Sequence, residues 1–202
     1  GDVNGTWTDA TVYSTGASDP RNHNVPGDGK YDQSVIPSPV ELAVGRVDFS
    51  NMPVFPQDET TLLSNYLTKL HNWKIKAFSA QVQGLVDDNF QGASPAFAAQ
   101  GWSGFGPLVG PANVSAQDYF SAMSTQSYLW SFGCGGGWWD NANGVGSSTD
   151  YATRNPQGVF TILFASYFGD FDIQNDFMRT SLDGGTILTC FWGGMPKWYF
   201  QH

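Results

Sequence analysis

The run Val159 to Ala165 (VFTILFA) is the most apolar stretch of the chain and carries no charge, glycine or proline. Extended to Phe168 it is still far shorter than the ~20 residues of a membrane span, and Thr161 and Ser166 interrupt it. It therefore reads as a strand buried on both faces, which in soluble chains means a parallel sheet with helices packed on either side. The rest of the sequence has to supply those helices and further strands.

Between Asp58 and Trp73 it does so: Leu62, Leu63, Tyr66, Leu67 and Leu70 recur at steps of three and four, with Asp58 and Glu59 at the positive amino end of the predicted helix. Strands are expected over Val40 to Val47, Ala77 to Val86, Tyr128 to Phe132 and Thr186 to Trp192, besides Val159 to Ala165. Helices are expected over Pro95 to Gln100, over Ala116 to Ser124 with Ser115 as N-cap, and over Ile173 to Leu182. A long polar loop fills the interval from the glycines at Gly133 to Gly137 up to Pro156, and Gly1 to Pro39 is read as a decorated loop of turn formers. Strands alternating with helices, with no repeat and no linker, predict one α/β unit over residues 1–202 with a mainly parallel sheet.

Eighteen Asp and Glu against nine Lys and Arg give a formal charge of −9, which repels phosphate backbones and anionic lipid. No nucleic-acid partner and no membrane span are expected. Charged residues make up only 13% of the chain, about half the usual ~25%, so Ser, Thr, Asn, Gln and Gly must provide much of the polar surface. That balance points to a secreted or cell-surface setting. Two cysteines, Cys134 and Cys190, are too few for a disulfide framework and lack metal-ligand spacing.

Catalytic groups of α/β sheets gather just after the strands, here at Asp87-Asp88, Gly133 to Gly137, Ser166 to Asp170 and Gly193-Gly194. At these positions the chain resembles the gingipain-type cysteine peptidases, relatives of the caspases. VELAVGRV (Val40 to Val47) is similar to a family strand ending in Val-Gly-Arg and followed by a Pro-containing turn and a helix. Later, Gly133-Cys134-Gly135 stands where the family has Gly-His-Gly, and Ala165-Ser166-Tyr167-Phe168-Gly169-Asp170 where it has Ala-Cys followed after two residues by Gly-Asp. The resemblance runs from about Val40 to Trp198. It implies a caspase-like three-layer sandwich cut from a longer chain, since family members usually have sheet elements upstream and further domains downstream.

Cys134 thus takes the family's histidine position and Ser166 its nucleophilic cysteine position. A cysteine peptidase needs a thiolate beside an imidazole, and a hydroxyl beside a thiol supplies neither the strong base nor the acid. The imidazoles of the chain, His23, His71 and His202, fall at no matched position. The resemblance therefore implies a non-catalytic module with a binding or structural role in an extracellular assembly. Two alternatives stay open. One is a hydrolase of altered chemistry that uses Cys134 or Ser166, helped by the surrounding glycine amides, and it calls for a His, Lys or carboxylate within about 4 Å of either atom. The other is an extracellular fibre subunit joined to identical copies through exposed aromatics. The plain alternative for Cys134 is a small residue filling a tight strand-to-loop turn.

Two other groups of residues could bind ligands. Trp138 and Trp139, with Phe168, Phe171, Trp192, Trp198 and Tyr199 as further aromatics and Asp170 as a polar member of the same site, could receive a glycan or a peptide or pack on another domain. Asp19, Asp28 and Asp32, with Asn22 and Asn24, offer hard oxygens for calcium in the early loop, although their spacing is not that of an EF-hand.

Overall fold

The computed structural model describes residues 45–90, 96–168 and 173–192. The chain divides into Gly1–Arg46 and Val47–His202, and every helix and strand described belongs to the second unit. Helix α1 covers Glu59–Lys74, and Asp58 caps it by accepting the Thr61 amide at 2.8 Å. That bond holds the Asp58 carboxyl below its ordinary pKa. The elements that follow are β1 (Gly84–Asp88), α2 (Ala96–Val109), β2 (Val114–Ala116), α3 (Tyr119–Thr125), β3 (Tyr128–Cys134), β4 (Gly137–Trp138), β5 (Asn141–Ala142), β6 (Gly146–Ser147), α4 (Ser148–Thr153), β7 (Gly158–Phe164), α5 (Phe177–Ser181) and β8 (Thr189–Trp192).

Five strands form one sheet in the order β2-β1-β3-β7-β8. Every neighbouring pair in it is parallel. Alternation along β7 divides the core. Val159, Thr161 and Leu163 face one side, where Leu163 packs with Tyr119, Phe120, Met123, Tyr151 and Phe177 from α3, α4 and α5. Phe164, Phe132 and Val86 face the other side, against Phe105 and Val109 of α2. The chain is therefore an α/β protein with a parallel sheet flanked by helices, as the apolar run at Val159 requires, and it is compatible with a three-layer sandwich. A second, three-stranded antiparallel sheet β4-β5-β6 sits in the connection between β3 and α4.

Several local expectations change. The strand placed over Ala77 to Val86 begins only at Gly84 and runs on through Asp87 and Asp88, in register with Gly133 and Cys134. Ser115 does not cap a helix: Val114–Ala116 pairs with Gly84–Val86, and Asp118 caps α3 by accepting the Ser121 amide at 2.8 Å. The expected short helix at Pro95 continues to Val109, and the one at Ile173 shrinks to Phe177–Ser181. The polar loop before Pro156 contains β4 to β6 and α4, the helix being started by a capping box between Ser147 and Asp150. Of the strand expected at Val40 to Val47, residues 45–47 carry no strand and the remainder lies outside the described residues, as does the whole of the early loop.

Helix α1 is fixed at the amino end of β8, where the Tyr66 hydroxyl donates to the Leu188 carbonyl and the Lys69 ammonium to the Leu182 carbonyl. Burial pushes the Lys69 amine down to about 8, with Asp183 opposing the shift. The folded pKa lies below the unfolded value of 10.5, so the unfolded chain binds more protons between pH 8 and 10.5 and stability rises with pH across that window. Urea unfolding at pH 8 and pH 10 is expected to show the native chain gaining up to about 2 kcal/mol relative to Lys69→Met. A parallel response in the two proteins contradicts the shifted amine.

Candidate functional site

The chain goes from β1 outward to β2, then returns past β1 to lay down β3, β7 and β8 on the other side. A reversal of this kind opens a crevice at the carboxyl ends of the two central strands. Asp87, Asp88 and Asn89 reach it from β1, Cys134 and Gly135 from β3, and Ser166 follows β7. The strand ends are tied together: Asn89 N donates to the Cys134 carbonyl at 2.8 Å, and Gly135 N to the Phe164 carbonyl at 3.2 Å. Asp87 accepts the Tyr119 amide and the Asn89 side-chain amide, both at 2.9 Å. Burial raises the Asp87 pKa, and the nearby Asp118 and Asp88 add to the rise. A cavity of about 420 Å³ opens beside these carboxylates, with Trp102, Gln117 and Asp118 in its wall.

Cys134 exposes none of its surface and packs with Phe132 and Phe164 under α2. Its thiol donates to Asp88 Oδ1 at 3.5 Å, and the same oxygen accepts the Phe90 amide at 2.9 Å. Burial first, then the Asp88 charge, pushes the thiol up to about 12. A carboxylate does lie within the distance a hydrolase would need, but it sits where it holds the proton on sulfur, and a carboxylate is a far weaker base than the thiolate it would have to create. Asp88 is the acid at this thiol. Nor does the glycine cluster present an oxyanion hole at Gly135, whose amide is committed to Phe164.

Ser166 is half-buried, one residue beyond the buried Ala165. Among the described residues His71 is the one imidazole, and it is exposed in the last turn of α1. That helix lies toward the amino ends of the strands, with Tyr66 bonded to Leu188 and the Trp73 ring 6.0 Å from Phe160. His71 is therefore at the wrong end of the sheet to serve as a base. His23 and His202 lie outside the described residues.

Trp138 is 43% exposed and is braced by two rings, Trp139 at 4.5 Å and Tyr167 at 4.7 Å between centroids. Sequence reasoning named the two tryptophans but not Tyr167, whose φ of 68° puts a bulky side chain in the left-handed region. Phe168 belongs to the core, wholly buried with its ring 5.1 Å from Phe177. Trp192 ends β8, while Asp170, Phe171, Trp198, Tyr199 and the calcium candidates Asp19, Asp28 and Asp32 lie outside the described residues. Among the described residues no group of three or more His, Cys, Asp or Glu could hold a metal ion, and no helix is long and apolar enough to cross a membrane.

Comparison with family models, with curated proteins and with solved structures returned no match.

Proposed function

We propose that the chain is a non-catalytic module of a secreted or cell-surface protein, built on the pattern of the gingipain-type peptidases and used for binding within an extracellular assembly. The observation that carries this reading is the state of Cys134. Its side chain is closed off from solvent, and burial together with the Asp88 carboxylate 3.5 Å away holds the proton on sulfur. His71, the one imidazole among the described residues, is exposed in the last turn of α1, toward the other end of the sheet from Ser166. At this end of the molecule Trp138 is 43% exposed, beside Trp139 and Tyr167.

Helix α2 supports a structural share in the role. Its sequence has no charged residue, Leu108 and Trp102 stay exposed, and Trp102 joins Pro107, Pro111 and Val114 in lining an apolar cavity of about 510 Å³. An apolar outer face on a surface helix suits contact with another domain of the parent chain or with an identical subunit.

The test is chemical. Native protein at pH 7 is expected to leave a mixed peptide library uncut, and iodoacetamide followed by mass mapping is expected to find Cys134 unmodified until urea is added. Peptide cleavage, or labelling by a cysteine-protease probe that Cys134→Ala abolishes and Cys190→Ala leaves intact, overturns the reading in favour of a hydrolase.

A further inference from the structure

The small sheet β4-β5-β6 places Trp138 directly opposite Asn141, and Asn141 directly opposite Ser147. Directly opposed residues of an antiparallel pair project from the same face, so an indole, an amide and a hydroxyl stand in one row. The hydroxyl is committed to the Asp150 carboxylate at 2.7 Å. The amide is only partly used: Asn141 Nδ2 donates one hydrogen to Asp140 Oδ1 at 2.7 Å, leaving a second hydrogen and the amide oxygen for other partners. Beside a half-open indole, then, is a carboxylate and amide pair already oriented by its own hydrogen bond.

Tyr167 is the second, independent observation. A tyrosine at φ 68° is strained, and such strain persists only where the surroundings fix it, most often at functional sites. Here its ring lies 4.7 Å from that of Trp138 at 62° between planes, and the Trp139 ring makes a separate contact at 4.5 Å. Two rings thus hold a third in a fixed orientation while 43% of it stays open.

From this row we propose a carbohydrate site in which the Trp138 ring stacks on the C–H face of a neutral hexose unit and Asp140 and Asn141 hydrogen-bond its hydroxyls. The proposal rests on the binding reading above and names its ligand class. A sugar face offers the indole an apolar C–H surface, and its rim offers hydroxyls that both donate and accept. A proline-rich peptide would also stack on the indole, but it brings carbonyl acceptors with few N–H donors and would desolvate the Asp140 carboxylate while adding no donor to the one that Asn141 supplies. Uronic-acid and sulfated glycans are disfavoured by Asp140 itself and by the charge of −9.

The experiment is a tryptophan-fluorescence and calorimetric titration of the whole chain with cellohexaose, laminarihexaose and mannohexaose, alongside hexagalacturonate and decaproline. At least one neutral hexaose is expected to saturate. Its affinity is expected to fall about tenfold in Trp138→Ala, the scale of one lost stacking contact. A fall is also expected in Asn141→Ala, and no change in Leu67→Ser, which is exposed on α1. Tyr167→Gly separates a strained functional residue from a merely structural one: it is expected to bind more weakly while melting no lower than the native chain. Failure of all three neutral hexaoses, or saturation that Trp138→Ala leaves unchanged, overturns the proposal. Tighter binding of decaproline through Trp138 overturns the sugar assignment but leaves the binding module standing, whereas peptide cleavage in the library assay removes the binding reading itself.

Discussion

Arg179→Ala is expected to lower the unfolding free energy by about 3–5 kcal/mol, the range for removing one partner of a buried ion pair. Arg179 is 4% exposed in α5, and its guanidinium is shared among segments distant in sequence. One terminal nitrogen donates to the Ser50 carbonyl at 2.7 Å and lies 3.6 Å from Asp48, and the other donates to the Ile173 carbonyl. Asp48 in turn accepts from the amide and hydroxyl of Ser50, so the side chain closes a network that seats the segment entering α1 against α5. Phe49, Met52 and Phe55 in that segment cover Leu62, Tyr66 and Leu182, and the network holds that cluster in place. Urea unfolding of Arg179→Ala, Asp48→Ala and the double variant measures the pairwise share. A coupling near zero, or a loss under about 1 kcal/mol in Arg179→Ala, contradicts the role given to this side chain.

What was legible in the sequence was the part governed by local periodicity and burial. The three-and-four spacing of Leu62, Tyr66 and Leu70 places α1 within a residue of its observed limits, and the apolar run at Val159 marks a central strand of the sheet. Helix α2 was only half legible, because Gly101, Gly104, Gly106 and Pro107 are poor helix formers and its length is set by burial of Phe105 and Val109 against the sheet. Ser115 and Asp118 compete as caps on local grounds. Pairing of Val114 with Gly84 across the sheet decides between them, and no window of neighbouring residues contains that information. Helix α4 did leave a local signal, Ser147 three residues before Asp150, inside a stretch whose polarity suggested a loop.

The candidate site divides in the same way. Cys134 and Ser166 can be placed at the ends of their strands from the order of motifs along the chain, because strand ends are local features, although β3 runs through Cys134 and not only to Phe132. The contact between Cys134 and Asp88 joins residues 46 apart and exists only because β1 and β3 pair with Asp88 opposite Cys134. Charge chemistry alone gave the direction of its effect, since a carboxylate near a thiol raises the thiol pKa wherever it comes from. The left-handed backbone of Tyr167 has no counterpart in composition or periodicity, as nothing about a Tyr-Phe pair after a strand demands a positive φ.

The glycines after β3 give the second large effect, and they decide between two uses of the same residues. A run of glycines can expose amides to an anion, or it can let another backbone come close. At Gly135 a Cβ would lie 2.1 Å from the Asn143 carbonyl oxygen, and at Gly137 it would lie 2.4 Å from the Ala165 Cβ and 2.7 Å from the Ser166 carbonyl oxygen. At Gly136 a Cβ would meet nothing within 4 Å. Close approach therefore accounts for Gly135 and Gly137: their bare backbones allow the β4-β5-β6 sheet to settle on the ends of β3 and β7, where it carries Trp138. Because the obstruction at Gly135 is main chain, a methyl group there cannot be accommodated by a rotamer change. Gly135→Ala is expected to cost about 3 kcal/mol, the upper part of the range for overpacking, and to make Trp138 more accessible to acrylamide as the small sheet shifts. Gly136→Ala is expected to stay within about 0.5 kcal/mol of the native chain and to leave quenching unchanged. If the two substitutions have equal effects, the glycines are not there for packing and an anion-binding use of their amides becomes the better explanation. If only Gly135→Ala perturbs both stability and the indole, the glycines that follow Cys134 serve to build the platform for Trp138.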